Sequence, residues 1–185
     1  MIVIMAGLPG TGKSVLCRAL AKQVGGVVLD KDIIRAALFP TERIEYSAAQ
    51  DDFCQSLMLE AAGYLLVRDP HVVIFFDGRT FSRRYQIDAV IQSAQKFGTP
   101  FRTIECTCSE ETARQRLERD QAAGHHPAAN RSFDLYQRLK VTFEPIPEPK
   151  LVVDTDQPLD GCVGRSRAFI SGEAGHKGRR PSMPH

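Results

Sequence analysis

Six apolar residues, MIVIMA, run straight into GLPGTGKS, which spans residues 7–14. No other stretch limits the fold as tightly. An apolar run of strand length reads as a strand covered on both faces, and the glycines behind it mark a sharp turn of backbone. From Lys13 to Val24 the residues Val15, Leu16, Ala19 and Leu20 recur at helical spacing, so the turn hands the chain to a helix. Strand, glycine loop and helix in that order open a layered α/β unit, because the helix has to pack back onto the sheet.

The spacing within the loop sets its chemistry. Gly7, four residues, then Gly12, Lys13 and Ser14 is the full pattern of a phosphate-binding P-loop. Across Gly7, Leu8, Pro9, Gly10, Thr11 and Gly12 the backbone can curl so that successive N–H groups point inward at phosphate oxygens. The helix that starts at Lys13 adds the positive end of its dipole. The Lys13 ammonium can reach the β- and γ-phosphates, and the Ser14 hydroxyl can bind Mg²⁺. A glycine-rich turn that happens to hold a lysine and a serine is the alternative. The strand before and the helix after favour the P-loop, with ATP and Mg²⁺ as its cofactors.

Further strands alternate with helices. GVVLD is a second strand, followed by the short helix DIIRAALF, which Pro40 closes. Ser47 and Gln50 form a capping-box pattern before a helix reaching about Arg68. VVIFFD is a third strand, and a helix from about Arg84 to Phe97 stops at Gly98. FRTIECTC is the fourth strand, with Ser109 capping the charged helix EETARQRLERDQAAG, and the polar loop GHHPAANR leads to the helix SFDLYQRLKVTF. KLVVDT is the fifth strand, and residues 159–170 form a last, weaker helix. The expected fold class is α/β: a P-loop NTPase fold with a five-stranded parallel doubly wound sheet, helices on both faces and a small helical lid. One P-loop domain fills residues 1–170, with its lid near 109–132. The Gly, Pro and charge of residues 171–185 predict a disordered tail.

Charge narrows the partners. The net charge is +2, yet residues 1–170 balance at 21 basic and 21 acidic side chains. A nucleic-acid binder usually carries a strong basic excess, so that class loses ground. No apolar run reaches the length of a membrane span, and the apolar start carries no basic residue before Lys13, unlike a signal peptide. Five scattered cysteines suit a reduced cytoplasm. Cys106 and Cys108 are expected on one side of the fourth strand, as structural residues rather than metal ligands. Oligomeric state leaves no mark in the sequence.

The P-loop is shared by kinases, GTPases and motor ATPases. No Asn-Lys-x-Asp motif for reading a guanine base is present. LDKDIIRAAL stands instead, with Asp32 nineteen residues after Lys13. At this stretch the chain resembles small P-loop kinases that phosphorylate a hydroxyl. LDKDIIRAAL is similar to the Leu-Asp-Gly-Asp-Asn-x-Arg motif of adenylylsulfate (APS) kinases, and the Asp30-x-Asp32 pair is similar to that of shikimate kinases. Asp32 with Arg35 resembles the base and substrate arginine of polynucleotide 5′-kinases. Zeta toxins and chloramphenicol phosphotransferases share the layout. FEPIPEPKLVVDTD resembles the APS kinase segment ending in Leu-Val-Leu-Asp-Thr-Asp. The resemblance covers roughly residues 1–160 and implies ATP-dependent transfer of a phosphoryl group to a small-molecule hydroxyl. Departures stand beside it: Lys31 replaces the Gly and Ile33 the Asn of the APS kinase motif, and the family's Asp-Pro-Lys-Gly-Leu-Tyr segment is missing.

Phosphoryl transfer asks for positioning and positive charge more than covalent help. Asp32, at the carboxyl end of the second strand, is the candidate to accept the acceptor's proton, and Asp30 the candidate to hold Mg²⁺ waters. Helix N-capping competes for both aspartates. Arg35, one turn from Asp32, is a candidate to hold the acceptor, with a surface arginine as the alternative. Asp77 ends VVIFFD, the place for a carboxylate acting on Mg²⁺ or substrate. Arg79 and Arg83 follow as substrate contacts. Arg116 and Arg119 share a helix face and are the preferred arginines for neutralising the transferring group, unless that helix is simply a solvated charged surface. His125 and His126 read as lid surface or substrate contacts, and DTDQP resembles the loop that borders adenine. A 5′-hydroxyl nucleic-acid kinase and a nucleotide-binding switch or regulatory ATPase are the rival functions.

Overall fold

The computed structural model describes residues 1–123 and 132–172. His125, His126 and the tail from residue 173 therefore lie outside the described residues. Five strands, β1 (Ile2–Ala6), β2 (Val27–Asp30), β3 (Ile74–Asp77), β4 (Phe101–Thr107) and β5 (Lys150–Asp154), form one parallel sheet in the order β2-β3-β1-β4-β5. Seven helices surround it: α1 (Lys13–Val24), α2 (Lys31–Leu38), α3 (Ala48–Arg68), α4 (Arg84–Lys96), α5 (Glu110–Ala123), α6 (Phe133–Thr142) and α7 (Leu159–Ser171).

The central strand shows why the sheet is covered on both sides. Strand side chains alternate, so Ile2, Ile4 and Ala6 pack with Met58 and Ala62 of α3 and Ile87 and Val90 of α4. Val3 and Met5 point the other way, against Leu16, Cys17 and Leu20 of α1 and Val163 and Ile170 of α7. β3 splits in the same manner, with Phe76 in the first layer and Phe75 in the second, both fully buried. Its continuous apolar run thus serves two cores at once.

This topology also places a crevice. β1 leads to α1 on one face, whereas its neighbour β3 leads to α4 on the other, so the connections diverge at the carboxyl ends of these strands. Gly7 N donates to Thr80 O across that gap at 3.0 Å.

Details differ from the sequence expectations where local forces compete. β4 ends at Thr107, so Cys108 lies beyond the strand rather than beside Cys106. Cys106 is buried in the core, and its thiol is pushed up to about 12 by burial. Cys108 instead turns toward Gly10 O, 3.9 Å away. Ser47 Oγ caps α3 by accepting from Gln50 N, but the Gln50 side chain bonds Glu45 N and Arg43 O instead of closing the box. β3 starts at Ile74, two residues later than the apolar run suggests. α7, the helix expected to be weak, buries Cys162, Val163 and Ile170 despite its glycines.

Candidate active site

The P-loop leaves β1 through left-handed glycines, with φ of 133° at Gly7, 79° at Gly10 and 74° at Gly12. A side chain at Gly7 would also strike Cys106 O at 2.3 Å, so only glycine fits there. Thr11 Oγ1 donates to Leu8 O at 2.8 Å, and Lys13 Nζ arches back to donate to Gly7 O and Leu8 O at 2.8 and 2.7 Å. Ser14 follows on the first turn of α1, half-buried.

The loop forms one side of a cavity of about 1190 Å³ that runs across the carboxyl edge of the sheet. Pro9, Gly10, Gly12, Lys13 and Ser14 line it, opposite Asp30, Lys31, Asp32 and Arg35 at the start of α2. Arg79 and Arg83 border it after β3, Arg116 and Arg119 from α5, and Thr155 to Pro158 after β5. The cavity therefore gathers every arginine that the sequence marks as a candidate. Asp77 is the exception among the candidate carboxylates: it is fully buried and lies behind the lining.

The two strand-end carboxylates face different tasks. Asp30 pairs in register with Asp77. Its Oδ1 accepts from Asp32 N at 2.8 Å and Ile33 N at 3.3 Å, so it is the N-cap of α2. Burial, and then the Asp77 charge, push its pKa above the ordinary carboxylate value. Gly78, at φ 80°, brings backbone close enough that a Cβ there would sit 2.6 Å from Asp30 Oδ1. Both carboxylate oxygens of Asp77 are buried without a hydrogen-bond partner. Buried polar atoms normally find partners, so orphaned oxygens beside Asp30 suit a site completed by another group. With Ser14, these are hard oxygen donors of the kind Mg²⁺ prefers. Among the described residues no cluster of three or more His, Cys, Asp or Glu could hold a metal unaided. A cation here would lean on phosphate and water oxygens, which is how Mg²⁺ is usually bound. Ser14, Asp30 and Asp77 fit such an ion.

Asp32 does not cap. It lies 3.0 Å from Arg35 Nη1 and 3.1 Å from Lys31 Nζ, in a group that is almost wholly buried. Asp51 of α3 completes this group, bonded to Lys31 Nζ at 2.9 Å and paired with Arg35 Nη2. The Tyr46 ring stacks 5.1 Å from the Arg35 guanidinium. Burial lowers the Lys31 pKa, against the opposing pull of Asp32. Arg79 is held from α3 as well, by Gln55 Oε1 at 2.7 Å and Asp52 at 2.5 Å. Arg83 pairs with Glu144 at 3.1 Å on the rim.

On the opposite side, Arg116 donates to Thr155 Oγ1 at 3.0 Å and Thr155 O at 2.9 Å, and Thr155 Oγ1 is 3.0 Å from Thr11 O. Arg116 thus ties α5 to the loop after β5 behind the P-loop. Arg119 shares its face and also lines the cavity, whereas Arg114 stacks over Phe133 at 3.9 Å.

Lys31, Tyr46, Asp51 and Asp52 escape sequence reasoning as site residues. The only signal for the two aspartates is charge at the start of α3, in the run QDD behind a capping serine, and that reads equally as a solvated first turn.

A family model described as an AAA domain matches residues 2–145. The chain belongs to this AAA-domain family. No curated protein sequence matches it significantly. Solved structures share the fold at low identity. The APS kinase CysC of Mycobacterium tuberculosis, in complex with AMPPNP and APS, is 16% identical at a TM-score of 0.68, covering 92% of this chain and 96% of its own. Kti12 of Chaetomium thermophilum, in complex with ADP-AlF3, is 15% identical at 0.68, with 93% and 98% covered. A sugar kinase from Janibacter sp. HTCC2649 is 15% identical at 0.67, with 92% and 94% covered. Family and likeness agree with the α/β, P-loop fold class expected from the sequence. Among the described residues no helix is long and apolar enough to cross a membrane.

Proposed function

We propose that this protein is an ATP-dependent kinase that transfers the γ-phosphoryl group of ATP to a hydroxyl of a small molecule. One observation carries the reading: a single cavity joins the P-loop to a buried carboxylate, Asp32, on the acceptor side. A nucleotide switch has no use for that carboxylate. The complexes of CysC with AMPPNP and of Kti12 with ADP-AlF3 support nucleotide binding by this fold.

In this reading residues 7–14 cradle the phosphates, and Lys13 leaves its loop carbonyls to meet the β- and γ-phosphates. Ser14, Asp30 and Asp77 would hold Mg²⁺, which would offset the negative charge of the phosphates. Asp32 accepts the proton of the attacking hydroxyl, a role worth about 10²- to 10⁴-fold. Arg35, Arg79 and Arg83 shape the acceptor side. Arg116 orders the loop near the base, and Arg119 neutralises charge on the group in transit. The kinase domain runs from residue 1 to the Gly172 cap of α7, two residues past the expected boundary, and α5 is the described part of the lid. The compartment is the cytoplasm, in keeping with five free cysteines.

One structural relative is named an APS kinase in complex with APS, and another a sugar kinase, so likeness alone does not choose. A 5′-hydroxyl of nucleic acid is disfavoured by the charge balance of residues 1–170. The test is a metabolite library incubated with ATP and Mg²⁺, reading products that gain the mass of a phosphoryl group. A phosphorylated small molecule is expected; phosphorylation of oligonucleotides alone, or of nothing while ATP binds, contradicts the proposal.

A further inference from the structure

The acceptor half of the cavity carries four cations, and each already has a carboxylate partner. Lys31 and Arg35 share Asp32 and Asp51, Arg79 is paired with Asp52, and Arg83 with Glu144. The remaining lining arginines, Arg18, Arg116 and Arg119, come from α1 and α5 on the nucleotide side. We infer that the acceptor is a neutral, polyhydroxylated molecule of the sugar or polyol class, free of phosphate, sulfate or carboxylate groups. This rests on the kinase reading above and narrows its substrate.

An anionic acceptor would have to draw Arg35 or Arg79, both almost fully buried, away from Asp51 or Asp52. Freeing Arg35 leaves Asp32, whose side chain is 9% exposed, with Lys31 alone in a poorly solvated wall, which is strongly unfavourable, whereas Asp52, at 44% exposed, keeps contact with water when Arg79 leaves it. A cationic acceptor meets the converse obstacle, since Asp32, Asp51 and Asp52 are already compensated and Asp30 is committed to capping α2. Hydroxyl groups avoid both, because each donates one hydrogen bond and accepts others. Paired guanidinium and carboxylate groups along one wall offer alternating donors and acceptors, the pattern vicinal hydroxyls satisfy without breaking an ion pair. Two lining tyrosines, Tyr46 and Tyr85, add ring surface for the carbon face of such a molecule.

Matched acceptors that differ by one charged group test this. D-glucose is assayed against D-gluconate, glucose 6-phosphate and glucosamine, and myo-inositol against its monophosphate. Each is run with ATP and Mg²⁺ beside the metabolite library, following ADP release and product mass. The neutral member of a pair, or a neutral polyol from the library, should be phosphorylated with kcat/KM at least about 10-fold above its charged counterpart. Its KM should change by less than about 2-fold between roughly 50 and 500 mM salt, since no net charge is recognised. Asp52→Asn, which uncovers Arg79, should narrow or reverse the preference against the carboxylate. A charged acceptor that outperforms every neutral one overturns the inference and leaves the kinase reading standing. Finding no acceptor of any class, with ATP binding intact by calorimetry, overturns the kinase reading and this inference together.

Discussion

Lys13 Nζ is held by two carbonyls of its own loop, 2.8 and 2.7 Å away, and both bonds must yield when phosphates arrive. Lys13→Ala should leave the fold intact by circular dichroism while turnover falls about 10²-fold or more, the scale for losing one charge-stabilising donor at a reacting group. Near-normal turnover would remove the P-loop from the chemistry. Asp30 makes a second prediction at this scale. Its pKa is raised in the folded protein, first by burial and then by Asp77. A raised carboxylate binds its proton more tightly when folded, so its contribution to stability is fullest below its unfolded pKa and is lost as pH rises through the folded value. At neutral pH the ionised Asp30 therefore destabilises. Asp30→Asn keeps the cap and removes the charge, and should raise Tm at pH 7 by about 2–4 °C per kcal/mol relieved, the gain shrinking toward pH 4. The same variant should need more Mg²⁺ for half-maximal turnover. A Tm that falls at pH 7 and recovers in acid would reverse the assignment.

Arg79 fastens the segment after β3 to α3, through Gln55 and Asp52. Arg79→Ala should cost about 1.5–3 kcal/mol, the range for hydrogen bonds to charged groups, and lower Tm accordingly while raising acceptor KM more than ATP KM. Equal effects on both constants would make Arg79 a purely structural tie. Elements of this kind mark where sequence reading succeeds and fails. The strand before the P-loop, the Ser47 cap and the Asp32–Arg35 face are legible, because period, cap chemistry and i,i+3 spacing are local, whereas N-capping suits Asp30 and Asp32 alike and only the folded turn gives it to Asp30. The contributions of Asp51 and Asp52 are not, since they come from a helix that tertiary packing swings over the start of α2. Strand ends are hard to read for the same reason: Val72 and Val73 are as apolar as Ile74, and only pairing with β1 decides where β3 begins. Helical spacing puts Arg116 and Arg119 on one face, but nothing local reveals that Arg116 is engaged by Thr155.

For the whole molecule, the sheet order and the two core layers put the phosphate loop and Asp32 on one edge of the sheet. α7 closes the domain with a left-handed cap at Gly172, and Ser171 Oγ bonds to Arg167 O and Ala168 O. Removal of residues 173–185 should thus leave Tm and ATP affinity nearly unchanged by thermal melt and calorimetry, whereas a cut at residue 171 should also lose the cap. A large loss from the shorter truncation would place the domain boundary beyond Gly172. If Asp32 serves an acceptor that shares a cavity with ATP, Asp32→Asn separates nucleotide binding from transfer. ATP affinity and acceptor turnover are measured on the same preparation, by calorimetry and by the mass of the phosphorylated product. ATP affinity should stay within about 3-fold of the parent while transfer falls by about 10²- to 10⁴-fold. Full transfer by Asp32→Asn would contradict that role for Asp32.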